Sequence, residues 1–171
     1  MAKEYALKIK TEDKSLTDTY GKFSIQPLER GYGVTVGNAL RRVLLTSLPG
    51  AAITNVKIEG VLHEFSTISG VKDDMADFVQ NLKGVRFKLS DSKVDNVKIN
   101  LKGKHVFTAA DIQSATDEFE ILNPDHYITE INAKGAIELE IRIGVGKGYV
   151  PSEDNELPNA PIGTLAIDSI F

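Results

Sequence analysis

Residues 136–143 read Ala136-Ile137-Glu138-Leu139-Glu140-Ile141-Arg142-Ile143. Apolar and charged side chains alternate with a period of two. In an extended chain this places Ile137, Leu139, Ile141 and Ile143 on one side and Glu138, Glu140 and Arg142 on the other. A strand with one apolar and one charged face belongs to an antiparallel sheet that packs one side on a core and wets the other. Shorter versions of the pattern occur at Tyr5-Leu7-Ile9, Phe23-Ile25, Val56-Ile58, Val85-Phe87-Leu89, Val97-Ile99-Leu101, Phe119-Ile121 and Leu165-Ile167. Turn residues lie between them, at Asp91-Ser92, Gly103-Lys104, Asn123-Pro124 and Lys134-Gly135.

Two segments carry helical spacing instead. From about Val34 to Leu48, the residues Val36, Leu40, Val43, Leu44 and Leu48 form a stripe, and Ala39 and Leu45 widen it beyond one face. Pro49-Gly50 is expected to stop this helix. From about Val71 to Lys83, the stripe is Val71, Met75, Phe78, Val79 and Leu82. Asp73 and Asp74 fall in its first turn and Lys83 in its last, the charge order that the helix dipole favours. The sequence thus predicts an α+β chain of many strands and two helices.

The chain has 171 residues, 42% hydrophobic and 26% charged, the composition of an ordinary globular protein. A chain of this size buries roughly 70% of its unfolded surface and needs no covalent staple. With no Cys there is no disulfide framework and no thiolate zinc site, which fits a reducing compartment. No apolar run approaches the ~20 residues of a membrane span. Met1-Ala2-Lys3-Glu4 lacks an apolar signal core, so no secretion is expected. The net charge of −4 is carried by Glu153, Asp154, Glu156 and Asp168, leaving 20 basic and 20 acidic residues in positions 1–149. A neutral body is not the footprint of a nucleic-acid binder. The segment 151–161, with three Pro and three acids, reads as an exposed loop.

Catalytic motifs are missing or incomplete. Gly31, Gly33 and Gly37 precede the first helix as G-x-G-x-x-x-G, one residue off the dinucleotide fingerprint. Pro27 interrupts the strand such a site needs, and the glycines read better as a sharp turn into the helix. Gly144, Gly146 and Gly148 lack phosphate-loop spacing and read as a bulge or a flexible hairpin end. His63, His105 and His126 do not pair at ligand spacing, and Thr67 stands where a zinc protease would carry its second His. Asp73-Asp74 and Glu153-Asp154 sit at capping and solvated positions. Arg41-Arg42, in the middle of the first helix, reads either as a solvated pair or as an anchor for a partner protein; composition does not choose.

Longer blocks decide more. Residues 27–45, PLERGYGVTVGNALRRVLL, resemble the PLERGxGxTxGNALRRxLL signature of the bacterial RNA polymerase alpha-subunit family. Residues 60–67, GVLHEFST, are similar to the same family, as are Asn81-Leu82-Lys83-Gly84, Thr108-Ala109-Ala110-Asp111-Ile112, Gly146 to Pro151, and Pro161-Ile162-Gly163. The blocks keep the family's order over residues 22–168. The chain through about Thr19 shows no clear match, and the loop 152–160 is shorter than in many relatives.

The resemblance implies a subunit with no catalytic residues of its own, a component of a DNA-directed RNA polymerase, in the cytoplasm of a bacterium or in a plastid. It implies a homodimer that serves as the platform for the beta and beta-prime subunits, with no cofactor, metal, small-molecule ligand or membrane contact, and no direct DNA contact from this segment. It implies a dimerisation subdomain of mixed structure with one long helix, of which residues 1–50 are the first part. It also implies a mainly antiparallel β insert domain with a second helix over 51–171. Val36, Leu40, Val43, Leu44 and Leu48 are implied in dimerisation. Arg30, Asn38, Arg41, Arg42, His63, Glu64, Phe65 and Ser66 are implied in binding beta, with Arg42 the foremost, and Lys83 in binding beta-prime. The apolar ending Ile170-Phe171 reads as a cut inside a larger subunit. The first helix would then lack the second helix it packs on, and its stripe should drive association. A nucleotide- or phosphate-binding enzyme using the 31–37 or 144–148 glycines is the rival reading, and a self-contained interaction module is the third.

Overall fold

A computed structural model describes residues 6–17, 19–89, 91 and 94–171. The chain is α+β and divides into two units, Met1–Leu44 and Leu45–Phe171.

In the first unit, β1 (Lys8–Thr11) pairs antiparallel with β2 (Phe23–Gln26), with Ile9 opposite Ile25 and Thr11 opposite Phe23. Tyr5, expected at the start of β1, lies outside the described residues. Helix α1 follows as Tyr32–Thr46, so the division between the units falls in its last turn. Two sequence expectations change here. Gly33 and Gly37 lie inside α1, and only Gly31, at φ 91°, makes the turn ahead of it. Leu48 lies beyond the helix, because Pro49 already opens a strand and the residue before proline is steered away from helical ψ. No side chain of α1 is buried.

The second unit is built on a four-stranded antiparallel sheet of order β4-β7-β3-β9. Its members are β3 (Pro49–Ile58), β4 (Val94–Lys102), β7 (Ala136–Lys147) and β9 (Thr164–Ala166). Val97, Ile141 and Val56 stand in one row across three strands, and Ile99, Leu139 and Ile58 in the next. All six are buried, which realises the period-two pattern. Against this face packs α2 (Met75–Leu82) through Met75, Phe78 and Leu82. The antiparallel pair of β5 (His105–Thr108) and β6 (Tyr127–Ile131) adds Phe107, Ile128 and Ile131, with the rings of Phe78 and Phe107 stacked at 6.2 Å. A pair of two-residue strands, β8 (Tyr149–Val150) and β10 (Ser169–Ile170), closes the chain's end.

Helix α2 is shorter than its sequence pattern. Val71 bridges Ile131 instead of entering the helix, and Asp74 is the N-cap, its carboxylate accepting from the Asp77 amide at 2.9 Å. Lys83 is the C-cap. A third helix, α3 (Ala109–Gln113), was not expected as such; Thr108 and Asp111 form its capping box. The segments around Val85-Phe87-Leu89 and Phe119-Ile121 bury Val85, Phe87, Phe119 and Ile121 but pair only through one bridge, Phe87 to Ile121.

The glycine-rich end of β7 also differs from expectation. Gly144 and Gly146 are regular strand residues opposite Ala52 and Gly50. The bulge sits on the neighbouring strand, at Thr54, between the pairs Ile53–Ile143 and Asn55–Arg142. Small residues are needed because a Cβ on Gly146 would stand 2.6 Å from the Phe171 ring, and one on Gly144 3.1 Å from Thr54 Cγ2. A buried polar network fixes the bulge. Thr54 Oγ1 donates to Asn55 Oδ1 (2.9 Å), and Asn55 Nδ2 donates to the Asn155 carbonyl (2.9 Å). Asn155 Nδ2 in turn donates to the Ile167 carbonyl (2.7 Å), and Ser169 Oγ to the Ile53 carbonyl (2.8 Å). The segment 151–161 is thus less loose than its composition suggests: Ser152–Asn155 is a 3-10 turn tied to β3.

Gly70 and Gly103 separate two kinds of glycine requirement, since both have φ 78°. A Cβ on Gly103 meets nothing within 4 Å, whereas one on Gly70 would lie 2.5 Å from Gly135 Cα. Gly103→Ala should therefore cost about 1–2 kcal/mol, the left-handed penalty alone. Gly70→Ala should cost a further ~1–3 kcal/mol of overpacking against backbone. Urea unfolding of the two variants checks the order; equal losses would contradict the close approach.

Candidate protein-binding surface

The side chains implied in partner binding fall into separate groups. Along α1, Val36, Leu40, Val43 and Leu44 recur at helical spacing on one face, while Asn38, Arg41 and Arg42 follow another. Leu40, Val43 and Leu44 are all more than half exposed, and Val36 is half-buried. Arg30 is exposed in the turn before the helix. Leu48 is exposed between α1 and β3.

In the second unit, His63, Glu64, Phe65 and Ser66 form one turn. It starts where β3 ends: the Glu59 amide still bonds the Glu138 carbonyl at 2.9 Å, and Val61 N–H closes on the Ile58 carbonyl at 3.1 Å. The turn itself is held by Ser66 N–H to the His63 carbonyl (3.1 Å) and by Ser66 Oγ against His63 Nδ1 (3.0 Å). Its far end is tied to α2, because the Met75 amide donates to the Ser66 carbonyl at 3.2 Å and Thr67 bridges Asp74. Phe65 is left pointing into solvent, 84% exposed. A large aromatic on a short, hydrogen-bonded turn is held in place, so little of the backbone would remain to be ordered if it bound.

Lys83 caps α2 and pairs with Asp168, a residue 85 positions away that no sequence spacing singles out. The ammonium is half-exposed and already has a carboxylate, so it presents a neutralised pair to any partner. Around it, Asn81 Nδ2 donates to the Ile128 carbonyl (2.8 Å), and His126 Nε2 lies 2.8 Å from the Asn81 carbonyl. His105 pairs with Asp111 at 3.0 Å. All three histidines therefore have hydrogen-bonding partners inside the fold. Among the described residues, no group of three or more His, Cys, Asp or Glu is placed to hold a metal ion. No helix among them is long and apolar enough to cross a membrane.

Residues 56–171 match the family described as RNA polymerase Rpb3/RpoA insert domain. The chain belongs to this insert-domain family. The matched residues hold the last three residues of β3, β4 to β10, α2 and α3. The chain is also similar to DNA-directed RNA polymerase subunit alpha of Chloroherpeton thalassium, at 52% identity over 96% of the chain and 50% of that protein. The corresponding subunit of Salinibacter ruber is 53% identical over 92% of the chain and 48% of its own length. That of Alkaliphilus oremlandii is 51% identical over 96% and 51%. The chain spans about half the length of the curated relatives it matches.

One ionisable group in the insert domain departs strongly from its ordinary value. Tyr127 OH donates to Asp73 Oδ2 at 2.8 Å, and Thr129 Oγ1 donates to the same oxygen at 2.7 Å. Desolvation of the phenol, then the hydrogen bond to Asp73 and that residue's negative charge, push Tyr127 up to about 12. In the unfolded chain it titrates near pH ~10. The bond's contribution is complete below pH ~10 and is lost as pH rises towards ~12, because the unfolded state releases its proton first. Urea midpoints measured from about pH 9 to 11.5 should fall more steeply for the native sequence than for Tyr127→Phe. Parallel slopes would contradict the shift. The ring is 39% exposed, so the difference should be modest.

Proposed function

We propose that the chain is the amino-terminal assembly part of the alpha subunit of a DNA-directed RNA polymerase, acting as a binding platform and contributing no catalytic group. The observation that carries this reading is about half identity to alpha subunits along 96% of the chain. In the proposal two copies associate through Val36, Leu40, Val43, Leu44 and Leu48. The beta subunit is held by Arg30, Asn38, Arg41, Arg42 and the turn His63–Ser66, and beta-prime meets Lys83. The bacterial relatives support a cytoplasmic location. A platform needs area, rigid display and a few anchors; stable assemblies commonly bury more than ~2,000 Å². The exposed apolar stripe of α1 and the fixed Phe65 turn suit that need, and a neutral body suits protein partners.

Two measurements test it. Capture of purified beta subunit by the immobilised chain should fall at least ~10-fold for Phe65→Ala and for Arg42→Ala, the loss typical of an interface anchor. Unfolding free energy should change by no more than about 1 kcal/mol, as for exposed substitutions. Capture equal to the native chain for both variants would reject the assignment. Sedimentation velocity should show concentration-dependent association of the native chain, abolished by Leu40→Glu with Leu44→Glu. A chain that stays monomeric at all concentrations would reject the dimerisation role of α1.

A further inference from the structure

We infer that the turn Pro161–Gly163, together with Leu62, forms the second half of the surface that holds the beta subunit, with Ile162 as an anchor beside Phe65. The inference rests on the proposed assignment of His63–Ser66 to beta and extends it to a segment a hundred residues away. Its basis is exposure and placement. Among the described residues, the two most exposed large hydrophobic side chains are Ile162 at 88% and Phe65 at 84%. Leu62, three residues before Phe65, is 67% exposed. The loops that carry them meet: a Cβ on Gly163 would stand 2.8 Å from the Val61 carbonyl oxygen and 3.8 Å from Leu62 Cδ2. The close approach, at φ 85°, admits only glycine and fixes Ile162 next to the 61–66 turn.

Glu64 and Ile162 also line one cleft of about 410 Å³, together with Leu157, Ala160 and Leu165 and with the polar side chains of Asn55, Ser152 and Thr164. Its charged lining residues are Glu64 and Glu156, with no basic side chain among them. Scattered exposed hydrophobics are ordinary, but adjacent ones bordered by carboxylates mark an interaction site. A partner face that fits it sets Lys or Arg against these carboxylates and apolar groups against Ile162, Leu62 and Phe65. Because Glu64, next to Phe65, and Ile162 line the same cleft, the inference has one partner cover both turns.

The test titrates beta subunit against the immobilised chain with Ile162→Ser, Leu62→Ser, Ile162→Met and Phe65→Ala. The inference expects Ile162→Ser and Leu62→Ser each to weaken capture by about fivefold or more, with Ile162→Met close to the native chain. Melting temperatures should be unchanged, since Ile162 is almost wholly in solvent. Native capture by both serine variants, with loss for Phe65→Ala, would overturn the inference and leave the beta assignment intact. Native capture by all variants would overturn both. Loss at Ile162 without loss at Phe65, or loss of beta-prime capture alone, would overturn the single-surface reading.

Discussion

Strand β7 is hydrogen-bonded along both edges and buried along one face, and the rest of the insert domain takes its position from that. Ile141 pairs with Val97 on one side and Val56 on the other. A slip of one residue would turn Ile137, Leu139, Ile141 and Ile143 from the core to water. Fully exposing a buried Leu or Ile costs about 1.5–3 kcal/mol, so four together exceed any gain from an alternative pairing. The irregularity in β7's own pairing, the bulge opposite it at Thr54, is held by Asn55, Asn155 and Ser169 with buried polar atoms satisfied. Such a network is costly to break, because each lost partner leaves a buried polar group bare. Register and bulge together decide where β3 ends, and hence where the His63–Ser66 turn begins.

Display and stability are divided between different residues. The core is made by the sheet, α2, α3 and the β5–β6 pair. In the second unit, the side chains assigned to partners sit where those elements end: Phe65 after β3, Lys83 after α2, Ile162 before β9. A rigid scaffold with functional groups at its element ends can bind without reorganising. The same division lets Phe65 or Ile162 be replaced with little effect on folding, so loss of binding can be separated from loss of structure.

Much of this was legible in the sequence. Period-two alternation marks strands at β1 to β4, β7 and β9; of the residues it turns inward, Val56, Ile58, Val97, Ile99, Ile137, Leu139, Ile141 and Ile143 are buried and Leu101 partly so, whereas Ile9 and Phe23 of the first unit are exposed. The stripe of α2 holds at Met75, Phe78 and Leu82, but the helix starts later than the stripe, since Val71 pairs with Ile131 and packs against the core from outside it. The third helix is one short turn set by the Thr108–Asp111 capping box, too brief to show a periodicity. The bulge could not be seen, because its cause is Asn55 meeting Asn155 across a hundred residues. Of the candidate surface, the motif residues were readable and their mutual placement was not. Nothing in the spacing ties Lys83 to Asp168, or Leu62 to Gly163; both contacts exist only once the sheet has formed.

Backbone hydrogen exchange of the chain, alone and with saturating beta subunit, tests the central claim most directly. A binding platform predicts slowed exchange at residues 63–66, at 161–163 and around Arg41–Arg42 of α1, with the β7 core unchanged because it is already protected. Unaltered exchange in all three segments, with beta present in excess, would contradict it.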